Sequence, residues 1–267
     1  MSAALVIAAH GTRLGAGVEQ CHELLARVRR RLPEHTVEVG YVELVEPPID
    51  RVVERLSATH DRVVVVPLML GTGAHVRRDI PDATRQGCLR LGGRAVVAEH
   101  LSPHSLLLQA LDQRIAAACA EPRPWEASTV AVVLAGRGSA VTRANDDHLR
   151  LAQRLAGAGW AAVVGCFVQV AAPDVATALD GARSRGARRI VVAPHLLFEG
   201  RVNGFLRRDA ADWAARHPEV EVRFADVLGP CDELAHVVVQ RFREALDRSE
   251  EPDQQAPTPS HSWTQQS

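Results

Sequence analysis

The chain repeats one long pattern twice, and the two copies differ where chemistry could sit. The first half contains ALVIAAHGTR, YVELVEPPID and RVVVVPLMLGTGAHVRRDIPDA. The second half contains VAVVLAGRGSA, FVQVAAPDVA and RRIVVAPHLLFEGRVNGFLRRDA, at an offset of 126 or 127 residues. This period is far longer than a solenoid repeat, and it predicts two domain-sized copies of one fold.

Each copy alternates apolar, strand-like runs with amphipathic helical patterns. The strand-like runs are 5–9, 37–44, 62–70 and 95–99 in the first copy, and 130–135, 162–168, 189–194 and 222–226 in the second. Such alternation is typical of a parallel sheet covered by helices. We therefore predict an α/β protein with two tandem, doubly wound parallel-sheet domains and a cleft between them. The expected bounds are 1–121 for a catalytic domain, 128–248 for a degenerate copy and 249–267 for a disordered tail.

Composition excludes several classes of protein. The net charge of −1 argues against nucleic-acid binding. The apolar run at the N-terminus is too short to span a membrane and lacks the basic start of a signal peptide. The five cysteines form no C-x-x-C motif, which argues against an iron–sulfur cofactor, and their odd number predicts a cytoplasmic location. Cys21 and Cys119 are predicted to be buried on apolar helix faces.

Three polar side chains of the first copy follow three predicted strands. His10 follows the first strand, Glu43 ends the second, and His75 lies in the loop after the third. Ligands of doubly wound sheets bind at the carboxyl ends of the strands, so these residues are predicted to converge. Two imidazoles and a carboxylate suit a divalent first-row metal ion, and each can also accept a proton.

The second copy lacks this set. Its matched positions hold Arg137, Gln169 and Val202. Taken singly, the first-copy residues have ordinary explanations, because a loop histidine can cap a turn and a strand-end glutamate can simply be solvated. Their shared placement and their joint absence from the second copy favour a functional site in the first half.

Arginines flank the same strand edges, and the chain contains no lysine. They are Arg13, Arg77 and Arg78 in the first copy, and Arg137 and Arg201 in the second. A cleft with histidines on one wall and arginines on the other would suit a polycarboxylate ligand, although loop arginines are often merely solvated.

The remaining histidines are weaker candidates. His104, after the fourth strand, is a candidate ligand near the same edge, and His100 a lesser one. His195 is expected to face the cleft between the domains. Surface or capping roles are predicted for His22, His35, His60, His148, His217 and His236, and His261 lies in the predicted tail, where no role is expected.

The segments AAHGTR, YVELVEP and VPLMLGTGAHVRRDIP together resemble the sirohydrochlorin chelatase family, the class II chelatases that insert cobalt or iron into a tetrapyrrole. GAHVRRDIP is the most specific part. LSPH resembles the family's Leu-Gly-x-His element, with Ser102 in place of the glycine. The resemblance covers about residues 3–245, and its layout is that of the long two-domain bacterial members.

The resemblance implies a lyase of cobalamin or sirohaem biosynthesis. His10 and His75 would bind the metal ion and accept protons, and Glu43 would assist. The substrate would be sirohydrochlorin, a macrocycle with eight carboxylates, and the loop of Arg13 would position its rim. Co²⁺ or Fe²⁺ would be a substrate rather than a permanent cofactor, and the choice between cobalt, iron and nickel stays open.

Two other functions remain open at this point. One is a non-enzymatic protein that carries a metal ion or a tetrapyrrole, and the other is a different small-molecule enzyme on the same fold. A nucleotide enzyme is disfavoured because neither G-x-G-x-x-G nor a phosphate-loop lysine follows the first strand. The oligomeric state is also open, although two fused halves could supply one complete cleft in a monomer.

Overall fold

The first half folds into a parallel sheet with the strand order β2-β1-β3-β4. The computed structural model describes residues 3–89, 94–120 and 122–248. The elements of this half are β1 (Ala3–Ala9), α1 (Gly15–Arg31), β2 (Thr36–Tyr41), α2 (Ile49–Ser57), β3 (Arg62–Pro67), α3 (Ile80–Leu89), β4 (Ala95–Val97) and α4 (Ser105–Ala120). A π-helical turn, His75–Asp79, leads into α3.

The second half repeats this arrangement with the strand order β6-β5-β7-β8. Its elements are β5 (Ala131–Gly136), α5 (Thr142–Leu155), β6 (Ala162–Phe167), α6 (Val175–Ser184), β7 (Arg189–Pro194), α7 (Arg201–Arg216), β8 (Glu221–Phe224) and α8 (Asp232–Arg248). Short 3₁₀ turns lie at Ala127–Thr129 and Ala156–Ala158. The predicted fold class is confirmed, whereas the predicted tail, 249–267, lies outside the described residues.

The hydrophobic pattern explains where each element packs. All residues of β1 and the run Val63–Val66 of β3 are buried, as expected for central strands covered on both faces. α1 buries one stripe that includes Cys21 and Val28, and Cys119 of α4 is buried too, so the predictions for both cysteines are confirmed. β2 is shorter than predicted. It ends at Tyr41, which places Glu43 in the following loop.

The halves exchange their last helices. α8, from the end of the second half, packs Leu234, Val238 and Phe242 into the core formed by β1, β3 and α1 of the first half. α4, from the end of the first half, packs Leu111 and Ile115 into the core beneath β5 and β7. Each sheet is therefore covered on one face by a helix that belongs, in sequence, to the other half.

Polar contacts reinforce this exchange. Asp232 of α8 accepts a 2.8 Å hydrogen bond from the Arg27 guanidinium of α1. Arg223 of β8 donates a 2.9 Å bond to the carbonyl of Cys119, near the end of α4. Among the described residues, no helix has both the length and the apolar character that crossing a membrane requires.

Candidate metal site at the strand ends

The three polar residues singled out in the first half lie together. His10 comes directly after β1, Glu43 follows β2, and His75 opens the π-helical turn after β3. Nε2 of His10 lies 3.4 Å from Oε1 of Glu43, and the rings of His10 and His75 meet edge to face with centroids 4.7 Å apart. One ligand atom from each residue falls within 4.8 Å of the others, a spacing that can enclose one metal ion.

Local hydrogen bonds set the tautomer of His10. Its Nδ1 lies 3.1 Å from the carbonyl oxygen of Gly11, and because a carbonyl only accepts, Nδ1 carries the proton. In the neutral ring Nε2 then presents a lone pair to the Glu43 carboxylate, which is also an acceptor. Two acceptors that face each other are satisfied by a cation or a shared proton between them.

A carboxylate orients His75 in the same way. Oδ2 of Asp79 lies 2.7 Å from Nδ1 of His75, so this nitrogen donates and Nε2 is left for a metal ion. Carboxylates that accept from the far nitrogen of a ligating histidine fix its ring and raise its basicity. Asp79 was not among the predicted site residues. Its signal was nevertheless present in HVRRD, where the carboxylate stands four residues after the histidine.

The π-helical turn is a one-residue insertion relative to the second half. β1 and β3 match β5 and β7 at an offset of 127 residues, whereas the buried residues of α3 match those of α7 at 126. The matched pairs are Ile80 with Leu206, Thr84 with Ala210 and Gly87 with Trp213. Single-turn π insertions often occur at functional sites, and this one carries both His75 and Asp79.

A close contact between two loops holds His10 beside Glu43. The backbone N–H of Glu43 donates to the carbonyl of His10 at 3.1 Å. Gly11, between them, has a φ of +96°, and a Cβ there would lie 1.9 Å from the Glu43 carbonyl oxygen, so only glycine is tolerated. Val45 N–H then donates to the same carbonyl at 2.9 Å, which closes a tight turn centred on Leu44.

The second half keeps this backbone without the side chains. Gln169 N–H donates to the Arg137 carbonyl at 3.0 Å, and Ala171 N–H donates to the Gln169 carbonyl at 2.7 Å. Gly138 has a φ of +89°, and a Cβ there would lie 1.8 Å from the Gln169 oxygen. The loop geometry is therefore common to both halves, and only the first half adds metal-binding groups to it.

The predicted arginines lie at the surface of both strand edges. Arg13, Arg77, Arg78, Arg137 and Arg201 are all exposed. Within the described part of the chain, no carboxylate pairs with any of them. The two edges also approach each other, because the N–H of Glu199, after β7, donates to Oε1 of Gln20 in α1 at 2.7 Å. The five guanidinium groups are thus open to solvent, and the two strand edges that carry these arginines are joined by this contact.

His104 has a local role in the structure. Its Nδ1 accepts from the N–H of Leu106 at the start of α4, at 3.2 Å. Its Nε2 therefore donates, and it does so to Oε1 of Gln240 in α8 at 3.0 Å. Since both ring nitrogens are engaged in joining α4 to α8, His104 is not part of the binding set proposed below.

Two histidines of the second half form a buried pair, and both predictions for them were wrong. Nδ1 of His148 lies 3.1 Å from Nδ1 of His195, with the rings stacked. Nε2 of His148 donates to the carbonyls of Leu134 and Cys166, at 3.2 and 3.1 Å, so His148 accepts from His195. His148 is not at the surface, and His195 lies in the core rather than in a cleft.

Burial governs the charge of this pair. Burial, with a smaller contribution from the neighbouring His148, lowers the pKa of His195 to about 3. Burial also lowers the pKa of His148. The matched positions of the first half hold Cys21 and Leu68, both in its hydrophobic core. The second half therefore has a neutral, hydrogen-bonded imidazole pair where the first half has two apolar core residues.

The fold and the site define a two-copy parallel α/β protein whose first copy can hold a divalent metal ion beside exposed arginines. The CbiX family model matches residues 4–118 and 131–245. The chain therefore belongs to the CbiX family. The two matched ranges coincide with the two halves of the internal repeat.

Curated relatives extend over most of the chain. A sirohydrochlorin ferrochelatase of Priestia megaterium is 26% identical over 246 residues, which cover 91% of this chain and 90% of the relative. A sirohydrochlorin cobaltochelatase of the same organism is 24% identical over 214 residues, which cover 79% of this chain and 70% of the relative.

Solved structures show the same fold. SirB from Bacillus subtilis with Fe³⁺ superposes with a TM-score of 0.78 at 24% identity, covering 94% of this chain and 98% of that one. SirB from Bacillus subtilis subspecies spizizenii in complex with cobalt superposes with a TM-score of 0.75 at 22% identity and the same coverage.

Proposed function

We propose that the chain inserts a divalent metal ion, Co²⁺ or Fe²⁺, into sirohydrochlorin. The observation that carries the proposal is the set of His10, Glu43 and His75, gathered at one strand edge with the Nδ1 atom of each imidazole beside an oxygen acceptor. Membership of the CbiX family and the names of relatives that cover most of the chain support the same reaction. The five free cysteines fit a reducing compartment, so we place the protein in the cytoplasm.

The reaction requires two tasks of the protein. A hydrated divalent ion must be held and partly dehydrated, and two pyrrole N–H protons must be removed as the ion forms bonds to the macrocycle nitrogens. His10 and His75 perform the first task through their Nε2 atoms. Neutral imidazole binds first-row metals but also releases them, which suits an ion that is passed on.

Proton removal falls to the same cluster. When the ion leaves for the macrocycle, the Glu43 carboxylate and Nε2 of His10 face each other again as two acceptors 3.4 Å apart. Each of the two pyrrole protons is accepted in turn between these two groups, and passes to solvent before the next is taken because Glu43 is half-exposed. One ion enters and two protons leave, so the charge of the macrocycle is unchanged.

Visible absorption tests the reaction, because metal insertion changes the spectrum of the macrocycle. Under anaerobic conditions, wild-type protein with sirohydrochlorin and Co²⁺ or Fe²⁺ should give the metallated spectrum. His10→Ala and His75→Ala should each lower the rate about 10²-fold or more, as expected for lost ligands and proton acceptors. His236→Ala, on the exposed face of α8, is the matched control.

Two results would argue against this assignment. A wild-type rate in the His10→Ala, His75→Ala double variant would exclude the site. Saturable binding of sirohydrochlorin without insertion of either metal would instead identify a carrier protein.

The second half is proposed to hold the anionic macrocycle. Arg137 and Arg201 are exposed at its strand edge, and no described carboxylate neutralises them, so they can form charge-assisted pairs with carboxylates on the macrocycle rim. Arg13, Arg77 and Arg78 offer the same contacts from the first half.

Substitution of Arg137 tests this role. Arg137→Ala should raise KM for sirohydrochlorin about tenfold, the loss of one charge-assisted contact, while kcat changes little. Arg216→Ala, at the far end of α7, serves as control. An unchanged KM in the Arg137 variant would limit the second half to a scaffold.

A further inference from the structure

Both halves carry an exposed apolar side chain on a strained turn. Leu44 and Val170 share a φ of +68°. Each is the central residue of the tight turn described above, and the two residues are 50% and 73% exposed. A γ-turn with positive φ at its centre is a rare, strained form. Left-handed backbone is unusual for any apolar residue, and for β-branched Val170 it is a clear outlier.

Neither metal binding nor core packing explains the positive φ of Leu44 and Val170. The second half has Gln169 in place of Glu43, and yet its turn has the same φ. Both side chains point out of the core, so their burial does not offset the strain. Glycine would adopt this backbone without cost. The two turns share an exposed apolar residue at their centre, and each is followed by a cis peptide bond, Glu46–Pro47 in the first half and Ala172–Pro173 in the second.

The position of these residues connects them to the site. Leu44 directly follows Glu43, and the two side chains line one open cavity of about 370 Å³ along the loop after β2. Val170 directly follows Gln169 at the equivalent edge of the second half. An exposed apolar residue thus lies next to the proton-accepting carboxylate in the first half and at the matched position in the second.

We propose that Leu44 and Val170 are substrate-positioning residues that pack against the flat, apolar ring of the tetrapyrrole. This inference rests on the proposed function. Arginines can hold the carboxylates of the rim, but guanidinium groups at a rim do not set how the ring plane lies above the metal site. Apolar side chains on rigid turns do so with little entropy lost on binding.

Glycine substitutions separate this role from a structural one. Leu44→Gly and Val170→Gly remove the side chain and also relieve the positive φ, so the melting temperature should stay equal or rise. Binding of metal-free sirohydrochlorin, titrated by absorption, should weaken about tenfold in each variant, as expected for loss of a buried aliphatic contact. Leu89→Ala, which removes another exposed leucine at the end of α3, should leave binding unchanged.

Two further measurements identify the kind of contact. The affinity for Co²⁺ without macrocycle should stay within about twofold of wild type in Leu44→Gly, which shows that Glu43 has not moved. Raising NaCl from 0.05 to 0.5 M should leave the weakening caused by Leu44→Gly unchanged, whereas the weakening caused by Arg137→Ala should shrink as charges are screened.

Wild-type-like affinity for sirohydrochlorin in both glycine variants would overturn the inference and leave the proposed function intact. A fall in Co²⁺ affinity that parallels the fall in macrocycle affinity would also overturn it, since the turn would then act only by placing Glu43. Wild-type protein that neither binds nor metallates sirohydrochlorin would overturn the proposed function itself.

Discussion

At the residue scale, hydrogen bonds at Nδ1 decide what the two site histidines can do. His10 donates from Nδ1 to a backbone carbonyl, and His75 donates to the Asp79 carboxylate. Both rings therefore present Nε2 lone pairs to the same space. The partner of His10 is a backbone carbonyl, which a side-chain substitution cannot remove. The partner of His75 is the side chain of Asp79, which can be substituted.

Asp79→Ala should weaken Co²⁺ binding about 10- to 100-fold, because the His75 ring loses the group that fixes its tautomer and orientation. Asp79→Asn should recover much of this loss, since its amide oxygen can still accept from Nδ1. Calorimetric titration of Co²⁺ without macrocycle measures the effect. Asp82→Ala, which removes an exposed carboxylate paired with Arg85, is the control, and an affinity within twofold of wild type in Asp79→Ala would contradict the prediction.

The residues that sequence reasoning found are those that topology alone can place. His10, Glu43 and His75 follow parallel strands, and the ends of such strands meet. His148 was misjudged because its environment depends on His195, which is 47 residues away in the chain. In a helical pattern, a histidine is read as a polar residue and is predicted to lie at the surface. Only the tertiary structure shows that His148 is buried with a hydrogen bond to a second histidine.

At the scale of elements, α5 and the end of β7 occupy the places that α1 and the end of β3 hold in the first half, and two of their matched buried positions change from apolar residues to histidines. Cys21 and Leu68, both in the hydrophobic core of the first half, are replaced by the hydrogen-bonded His148 and His195 in the second. In the folded protein the histidine pair stays neutral at pH values where exposed imidazoles are protonated, because burial lowers both pKa values below the ordinary value of 6.5.

The pair should make stability depend on pH. Below pH 6.5 the two histidines bind protons in the unfolded chain but not in the folded protein. Their contribution to the free energy of unfolding is therefore greatest above pH 6.5 and decreases as the pH drops toward 3. For His195 alone the loss between pH 6.5 and 5.0 is about 2 kcal/mol. Urea unfolding at both pH values should show this loss in wild type but not in the His148→Cys, His195→Leu variant. Identical pH dependence in the two proteins would refute it.

Element order was predictable, but the π-helical turn was not. Periodicity of apolar residues reports which positions are buried, and it located all eight strands to within a few residues. A single residue inserted between β3 and α3 changes neither the apolar run of the strand nor the apolar periodicity of the helix. The insertion is detected only when the buried residues of α3 are matched to those of α7.

At the scale of the whole molecule, the exchanged helices give each half part of its core from the other half. α8 fills the core of the first half and α4 fills that of the second. The boundaries predicted at 121 and 128 follow the repeat in the sequence, but the packing runs across them. Sequence reasoning had no means of seeing this, because an apolar helix face does not specify which sheet it covers.

Cleavage of the connection between the halves should therefore leave them together. With a protease site introduced at 122–124, the cut fragments should co-elute at micromolar concentration as one particle the size of the intact protein. They should separate only in denaturant, because parting them exposes both cores. Size-exclusion chromatography before and after cleavage measures this, and separate elution of the fragments in native buffer would show that the exchange is not what joins them.

The exchanged helices also bear on how such a gene can change after duplication. A second copy without metal ligands would ordinarily be free to decay or be lost. Here a truncation that removed it would take Leu234, Val238 and Phe242 out of the core beneath the intact site. The duplicate is thus retained through its last helix, while its strand-end loops can diverge toward a different chemistry.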